Sequence, residues 1–196
     1  MKKYKLIGLT GTTGAGKSVV SDIFRENGFA VISADSLARE AVKNPLVLQS
    51  LRTNFGEDVV CKNELNRKLL AERAFKNPES KELLDRITHP FISALFLDEV
   101  KRLSNLGEEK ILFDASQLFE SGLDALCDYV ISVIADDAER LSRIRERDDI
   151  SENQAKARMS VQFSDDYFIK NSDYVIENNS DINSLKQAVN NIISKI

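Results

Sequence analysis

Apolar positions gather first at residues 4–10, a short run that breaks into glycines, and recur at Val19, Val20, Ile23 and Phe24 between Lys17 and Asn27. The first pattern predicts a buried strand, the second one face of a helix, with a glycine loop between them. Gly28 stands where a helix C-cap is expected. Residues 29–32 predict a second buried strand ending at Ser33-Ala34-Asp35, which completes one βαβ unit.

From about residue 36 to 107 the pattern is helical, with apolar faces at Leu46, Leu51 and Phe55, at Leu69, Leu70 and Phe75, and at Leu95, Val100 and Leu103. No strand pattern interrupts it. Asn44-Pro45, Gly56, Asn77-Pro78 and His89-Pro90 punctuate the stretch, because the residue before proline is pushed out of the helical region. Strand patterns return at 110–114, 129–135 and 174–177, separated by helical segments at 137–147, 152–162 and 182–195. Ser151 with Gln154 gives a capping-box signal for the second of these helices. Such alternation predicts an α/β fold, a parallel sheet covered by helices on both faces. The expected organisation is a single domain, its core at 1–35 and 108–196, with a helical insertion at about 36–107 and a lid at about 137–165.

The chain has 196 residues, enough for one ordinary domain, and its 42% hydrophobic content excludes a disordered or collagen-like chain. With 27 Lys plus Arg against 31 Asp plus Glu, the net charge is −4, which argues against a protein that coats duplex phosphates and leaves room only for a local cationic pocket. The apolar stretch at 6–9 includes a glycine and is too short for a secretory segment. No run approaches the roughly 20 apolar residues of a membrane span. Cys61 and Cys127 lie far apart and suggest neither a disulfide framework nor a zinc site. The expectation is a cytoplasmic protein acting on small molecules, with no nucleic-acid or membrane partner, as a monomer or weak homo-oligomer.

Gly11-Thr12-Thr13-Gly14-Ala15-Gly16-Lys17-Ser18 fits G-x-x-x-x-G-K-[ST], after the first strand and opening a helix, where a phosphate-binding loop must lie. Glycines let backbone N–H groups turn around phosphate oxygens, and the helix N-terminus adds partial positive charge. Lys17 is placed to neutralise β- and γ-phosphates and Ser18 to put its hydroxyl on Mg²⁺. An Asn-Lys-x-Asp guanine reader and a D-x-x-G switch are both missing from the sequence, which disfavours a GTPase.

Asp35 follows the second strand, at the edge where parallel sheets bind ligands, and suits either a proton acceptor or metal ligand or else a helix N-cap. Asp114 ends the third strand, as a Walker-B-like acid or a turn residue. Arg140, Arg143 and Arg147 recur at helical spacing, either as a phosphate-gripping stripe or as a solvated face. His89 is the one histidine, and no metal-ligand cluster surrounds it in sequence.

The order of these motifs resembles the dephospho-CoA kinase family nearly throughout. The resemblance is carried by G-x-T-G-x-x-G-x-G-K-S at 8–18, x-A-D at 33–35, Asn66-Arg67, His89-Pro90 and D-x-x-x-L-F-E at 114–120. It continues through Arg140-x-x-Arg143-x-x-x-Arg147, Gln162 and Asp173-Tyr174-Val175-Ile176-x-Asn178. What it implies is ATP- and Mg²⁺-dependent phosphorylation of the ribose 3′-hydroxyl of dephospho-CoA, the last step of coenzyme A synthesis. The implied fold is a P-loop NTPase-type five-stranded parallel sheet flanked by helices, with a helical acceptor-binding insertion and a helical lid.

By the same resemblance Asp35 is the general base, Arg143 a lid arginine on the transferring phosphates, and Arg67 and His89 belong to the acceptor region with Asp114. Thr12, Thr13, Gly14, Ala15, Gly16, Lys17, Ser18, Val19 and Arg147 are expected around the nucleotide. The family's D-A-D reads Ser33-Ala34-Asp35 here, and its D-x-P-L-L-F-E reads Asp114-Ala115-Ser116-Gln117-Leu118-Phe119-Glu120. Those departures bear on the acceptor pocket. They keep two alternatives open, another small-molecule or nucleoside kinase on the same fold and a nucleotide-binding regulatory module without transfer activity.

Overall fold

A strand buried on both faces must be apolar nearly throughout, and Leu6 through Gly11 are all buried in β1 (Lys5–Gly11). In the computed structural model, which describes residues 3–196, β1 is the central strand. It pairs in parallel with β5 (Lys110–Asp114) on one side and β6 (Tyr129–Ile134) on the other. β7 (Tyr174–Glu177) continues the sheet parallel to β6, and β2 (Ala30–Ser33) forms the opposite edge, giving the order β2-β5-β1-β6-β7. The register puts Leu9 beside Asp114 and Gly11 beside Val133, so the glycine loop leaves the middle of the sheet.

Residues up to Ile32 together with Leu103–Ile196 form one compact unit, and Ser33–Arg102 form a second. In the first unit α1 (Lys17–Glu26) and α9 (Ile182–Ile193) cover one sheet face. Val20 and Phe24 of α1 and Val189 of α9 pack with Ile7, Leu9 and Val133. Phe24 meets Phe29 edge to face at 4.9 Å. On the other face the packing is tight enough to require glycine at position 8, since a Cβ there would lie 2.7 Å from Leu118 Cδ2 and 2.9 Å from Cys127 Sγ. Three further helices, α6 (Asp137–Asp148), α7 (Glu152–Ser160) and α8 (Asp165–Asn171), lie between β6 and β7.

The second unit holds α2 (Ala34–Ala41), α3 (Pro45–Phe55), a small hairpin of β3 (Val60–Cys61) and β4 (Glu64–Leu65), α4 (Arg67–Ala74) and most of α5 (Pro78–Asn105). Its core gathers Val47, Leu51 and Phe55 of α3 with Val59 and Leu70.

Several expectations need correction. The hairpin interrupts a stretch that shows no strand pattern. Its strands are two residues each, too short to display a period, and its turn is Lys62-Asn63 with φ of 51° and 63°, a left-handed pair that usually carries Asn-Gly. His89-Pro90 does not end a helix, because α5 runs through Pro90 unbroken. Leu83, Leu84, Ile87 and Phe91, on both sides of that proline, pack on the one core cluster, which opposes the cost of about 3 kcal/mol for an interior proline. The segment 152–162 ends earlier, at Ser160, and α8 follows it. Val19, Leu46 and Phe75 leave their expected apolar faces and are exposed, while Val20, Val47 and Leu70 take the buried positions.

The residue that departs from D-A-D has a local role. Ser33 is the N-cap of α2, its Oγ accepting the Ser36 N–H at 3.4 Å. Ser33→Ala should therefore cost about 1 kcal/mol in urea unfolding, whereas Ser33→Asp, another good cap, should lie close to the parent.

Candidate active site

The glycine loop is built by turning the chain out of β1 through left-handed glycines. Gly14 and Gly16 have φ of 81° and 93°, and Gly16 is the N-cap of α1 with no side-chain cap. Three loop N–H groups are used inside the protein: Thr12 donates to Val133 C=O at 3.0 Å, Thr13 to Gln162 Oε1 at 2.6 Å, and Ala15 to Thr12 C=O at 3.1 Å. Among the described residues no protein acceptor is paired with the N–H of Gly14 or Gly16, and those of Lys17 and Ser18 open α1, where no preceding turn accepts them. A ring of donors at a helix N-terminus is the geometry that receives phosphate oxygens.

Charge is arranged around this ring. Lys17 Nζ is hydrogen-bonded to Asp114 Oδ1, so the acid at the end of β5 is the partner of the loop lysine rather than a turn residue. Ser18 is exposed on the first turn of α1, and so is Val19, 38% exposed. The three arginines of α6 have three different environments. Arg140 is 5% exposed; its Nε donates to Thr13 C=O at 3.0 Å, and its Nη1 faces Asp137 at 3.1 Å and Asp165 at 3.4 Å. Arg143 donates from Nη1 to Asn178 C=O at 3.1 Å and from Nη2 to Glu139 at 3.2 Å. Arg147, on the exposed side, forks onto Asp148 at 2.8 and 2.9 Å. Arg147 is therefore largely exposed, whereas Arg140 is buried.

Two carboxyls in this segment are shifted in opposite directions. Burial raises Asp165, with Arg140 opposing it and the neighbouring acids Asp137, Asp166 and Asp136 adding to it. Asp148 is lowered below 3.8, chiefly by its hydrogen bonds from Arg147 and further by Arg158 of α7. Asp148 thus joins the end of α6 to α7.

The remaining expected site residues lie in the second unit. Asp35 is exposed in the first turn of α2, and because Ser33 supplies the cap, its carboxylate is not the capping group. Arg67 is exposed at the start of α4, which Asn66 caps by accepting the Leu69 N–H at 3.1 Å. His89 is half-buried on α5, its Nε2 3.6 Å from Asp85, which also accepts from Lys81 at 2.8 Å.

A family model for dephospho-CoA kinase matches residues 5–184, a span that takes in every one of these residues. The chain belongs to the dephospho-CoA kinase family. It is 36% identical over 193 residues to the dephospho-CoA kinase of Syntrophotalea carbinolica, covering 97% of this chain and 92% of that one. It is 39% identical over 185 residues to that of Fusobacterium nucleatum, covering 94% of each. A solved dephospho-CoA kinase from Campylobacter jejuni superposes with a TM-score of 0.71 at 29% identity, over 97% of this chain and 96% of that one. A shikimate kinase from Acinetobacter baumannii shares the fold alone, with a TM-score of 0.56 at 13% identity, over 99% of this chain and 93% of that one.

Residue spacing reveals little about what holds the loop. Gln162 and Asn178 stand 149 and 163 positions from their loop partners Thr13 and Ala15, and they enter the sequence reading only as members of the family pattern. Among the described residues no helix is long and apolar enough to cross a membrane.

Two outcomes follow from this geometry. In Gly16→Ala the new Cβ would lie 2.4 Å from Asn178 Nδ2 at φ +93°, so ADP binding by calorimetry should fall below detection. Because the folded-state value of Asp148 lies below 3.8, its stabilising contribution is complete above that pH and is lost as pH falls through the lowered value. Asp148→Asn should lower the thermal midpoint at pH 7, and the deficit should shrink as the pH drops below 3.8.

Proposed function

We propose that this chain transfers the γ-phosphoryl group of ATP to the ribose 3′-hydroxyl of dephospho-CoA, giving coenzyme A and ADP. The observation that carries the reading is the family match across residues 5–184, which takes in the glycine loop, Lys17, Asp35 and the α6 arginines together. The ring of loop donors, Lys17 beside Asp114, and the guanidiniums of α6 support it as chemistry suited to a polyphosphate.

The N–H groups of Gly14 and Gly16 and of the first turn of α1 receive phosphate oxygens. Lys17 exchanges its bond to Asp114 for one to the β- and γ-phosphates. Asp35 takes the proton from the 3′-hydroxyl as that oxygen bonds to the γ-phosphorus and the bond to the bridging oxygen of ADP breaks. Arg143 and Arg147 offset charge spread over the transferring group, and a closed lid keeps water from competing as acceptor. Arg67 and His89 contribute to holding the acceptor.

Among the described residues no group of three His, Cys, Asp or Glu side chains stands ready to hold a metal. Mg²⁺ binds through one or two protein oxygens plus substrate phosphates rather than through an all-protein cage. The Ser18 hydroxyl, with the Asp114 carboxylate nearby through Lys17, would provide those oxygens, and the bound ion would neutralise charge on the β- and γ-phosphates.

An ADP-release assay offering dephospho-CoA beside a panel of nucleosides and shikimate tests transfer and acceptor together. Release with dephospho-CoA alone is expected, and release only with another acceptor would contradict the reading. Lys17→Ala and Asp35→Asn should each lower kcat sharply. Arg143→Ala should lose about 3 kcal/mol of transition-state stabilisation, a hundredfold or more in rate. Near-normal turnover in Asp35→Asn would remove the base assignment.

A further inference from the structure

Two carbonyls of the glycine loop are held from outside by side chains remote in sequence. Arg140 Nε donates to Thr13 C=O at 3.0 Å, and Asn178 Nδ2 donates to Ala15 C=O at 2.8 Å. Each carbonyl shares a peptide unit with the next residue's N–H, that of Gly14 or Gly16. The described backbone has no cis peptide bond, and in a trans peptide the C=O and N–H point in opposite directions. Fixing the carbonyls against Arg140 and Asn178 therefore turns the N–H groups of Gly14 and Gly16 to the opposite side of the loop.

The same two residues also impose glycine at those positions. A Cβ at Gly14 would lie 2.8 Å from the Arg140 carbonyl oxygen, and one at Gly16 would lie 2.4 Å from Asn178 Nδ2. Both holders are themselves fixed. Asn178 is 8% exposed; its N–H donates to Ile134 C=O at 2.9 Å and its C=O accepts from Arg143. Arg140 is buried between Asp137 and Asp165.

We infer that Asn178 and Arg140 are positioning residues, which touch no phosphate themselves but aim two main-chain donors of the glycine loop at the phosphates of the nucleotide. The inference rests on the reading that this loop holds ATP. Donors oriented before the nucleotide arrives need no reorganisation on binding or as charge shifts during transfer. Arg140 is thereby separated in role from Arg143 and Arg147, although all three share one helix.

Calorimetric titration of Asn178→Ala and Asn178→Asp with ADP and with AMP tests the assignment, with thermal midpoints and steady-state kinetics measured beside it. Asp keeps the shape of Asn but has no proton to donate to Ala15 C=O. Both variants should bind ADP about tenfold or more weakly, the loss expected for a missing buried donor. AMP affinity should stay within about twofold of the parent, KM for ATP should rise, and KM for dephospho-CoA should hold. Unchanged ADP affinity, or an equal loss for ADP and AMP, would overturn the inference, since a merely structural role weakens both alike. If neither Asn178 variant folds, Arg140→Gln read in the same titrations decides, with Arg140→Lys, which keeps a cationic donor, expected to recover part of the loss. Should the parent bind ADP yet fail to phosphorylate dephospho-CoA, the kinase reading fails while the titration still decides the positioning claim.

Discussion

A main-chain N–H can serve a ligand only if the rest of its peptide is held still, and that constraint organises the first unit of this molecule. The glycine loop leaves the central strand β1, is tied to β6 by the Thr12 N–H on Val133 C=O, and ends as the first turn of α1. Carbonyls at Thr13 and Ala15 are gripped by Arg140 and Asn178, and the Thr13 N–H by Gln162. Those three residues come from α6, the end of β7 and the turn after α7. The sheet order and the helices between β6 and β7 thus bring three distant parts of the chain around one loop.

Electrostatics follow from the same arrangement. Lys17 is held by Asp114 across the β1–β5 pairing, and the buried Arg140 guanidinium faces Asp137 and Asp165 and donates to Thr13 C=O. The raised Asp165 carboxyl reflects what burying that acid costs. Asp148, by contrast, is surface chemistry, a low carboxyl gripped by Arg147 and Arg158 that fastens the segment whose far end carries Gln162. Because both arginines are largely exposed, these pairs stabilise the fold by about 1 kcal/mol or less.

Much of this fold was legible in the residues. The run into Gly11-Thr12-Thr13-Gly14-Ala15-Gly16-Lys17-Ser18 defines β1, the loop and α1, and the apolar runs after residue 109 mark β5, β6 and β7, because buried parallel strands and amphipathic helices have distinct periods. The hairpin at Val60–Leu65 escaped because two-residue strands have no period, and Pro90 misled because packing on both sides of it outweighs a local rule. α8 was hidden by the short turn that divides it from α7. Within the site, Lys17 and Asp114 carry their chemistry in their residue types and places. The bonds that Arg140 and Asn178 donate to loop carbonyls, and the one that Gln162 Oε1 accepts from the Thr13 N–H, leave no local signature, since any glycine loop offers the same backbone groups.

The central claim is that specific main-chain donors face the phosphates while others are committed within the protein. The most direct measurement is the shift of individual backbone amide proton resonances in isotope-labelled protein as ADP is added. The account predicts large downfield shifts at Gly14, Gly16, Lys17 and Ser18, with Thr12 and Thr13 nearly unmoved because their N–H groups already have acceptors. Shifts concentrated at Thr12 and Thr13, with Gly14 and Gly16 unaffected, would contradict it.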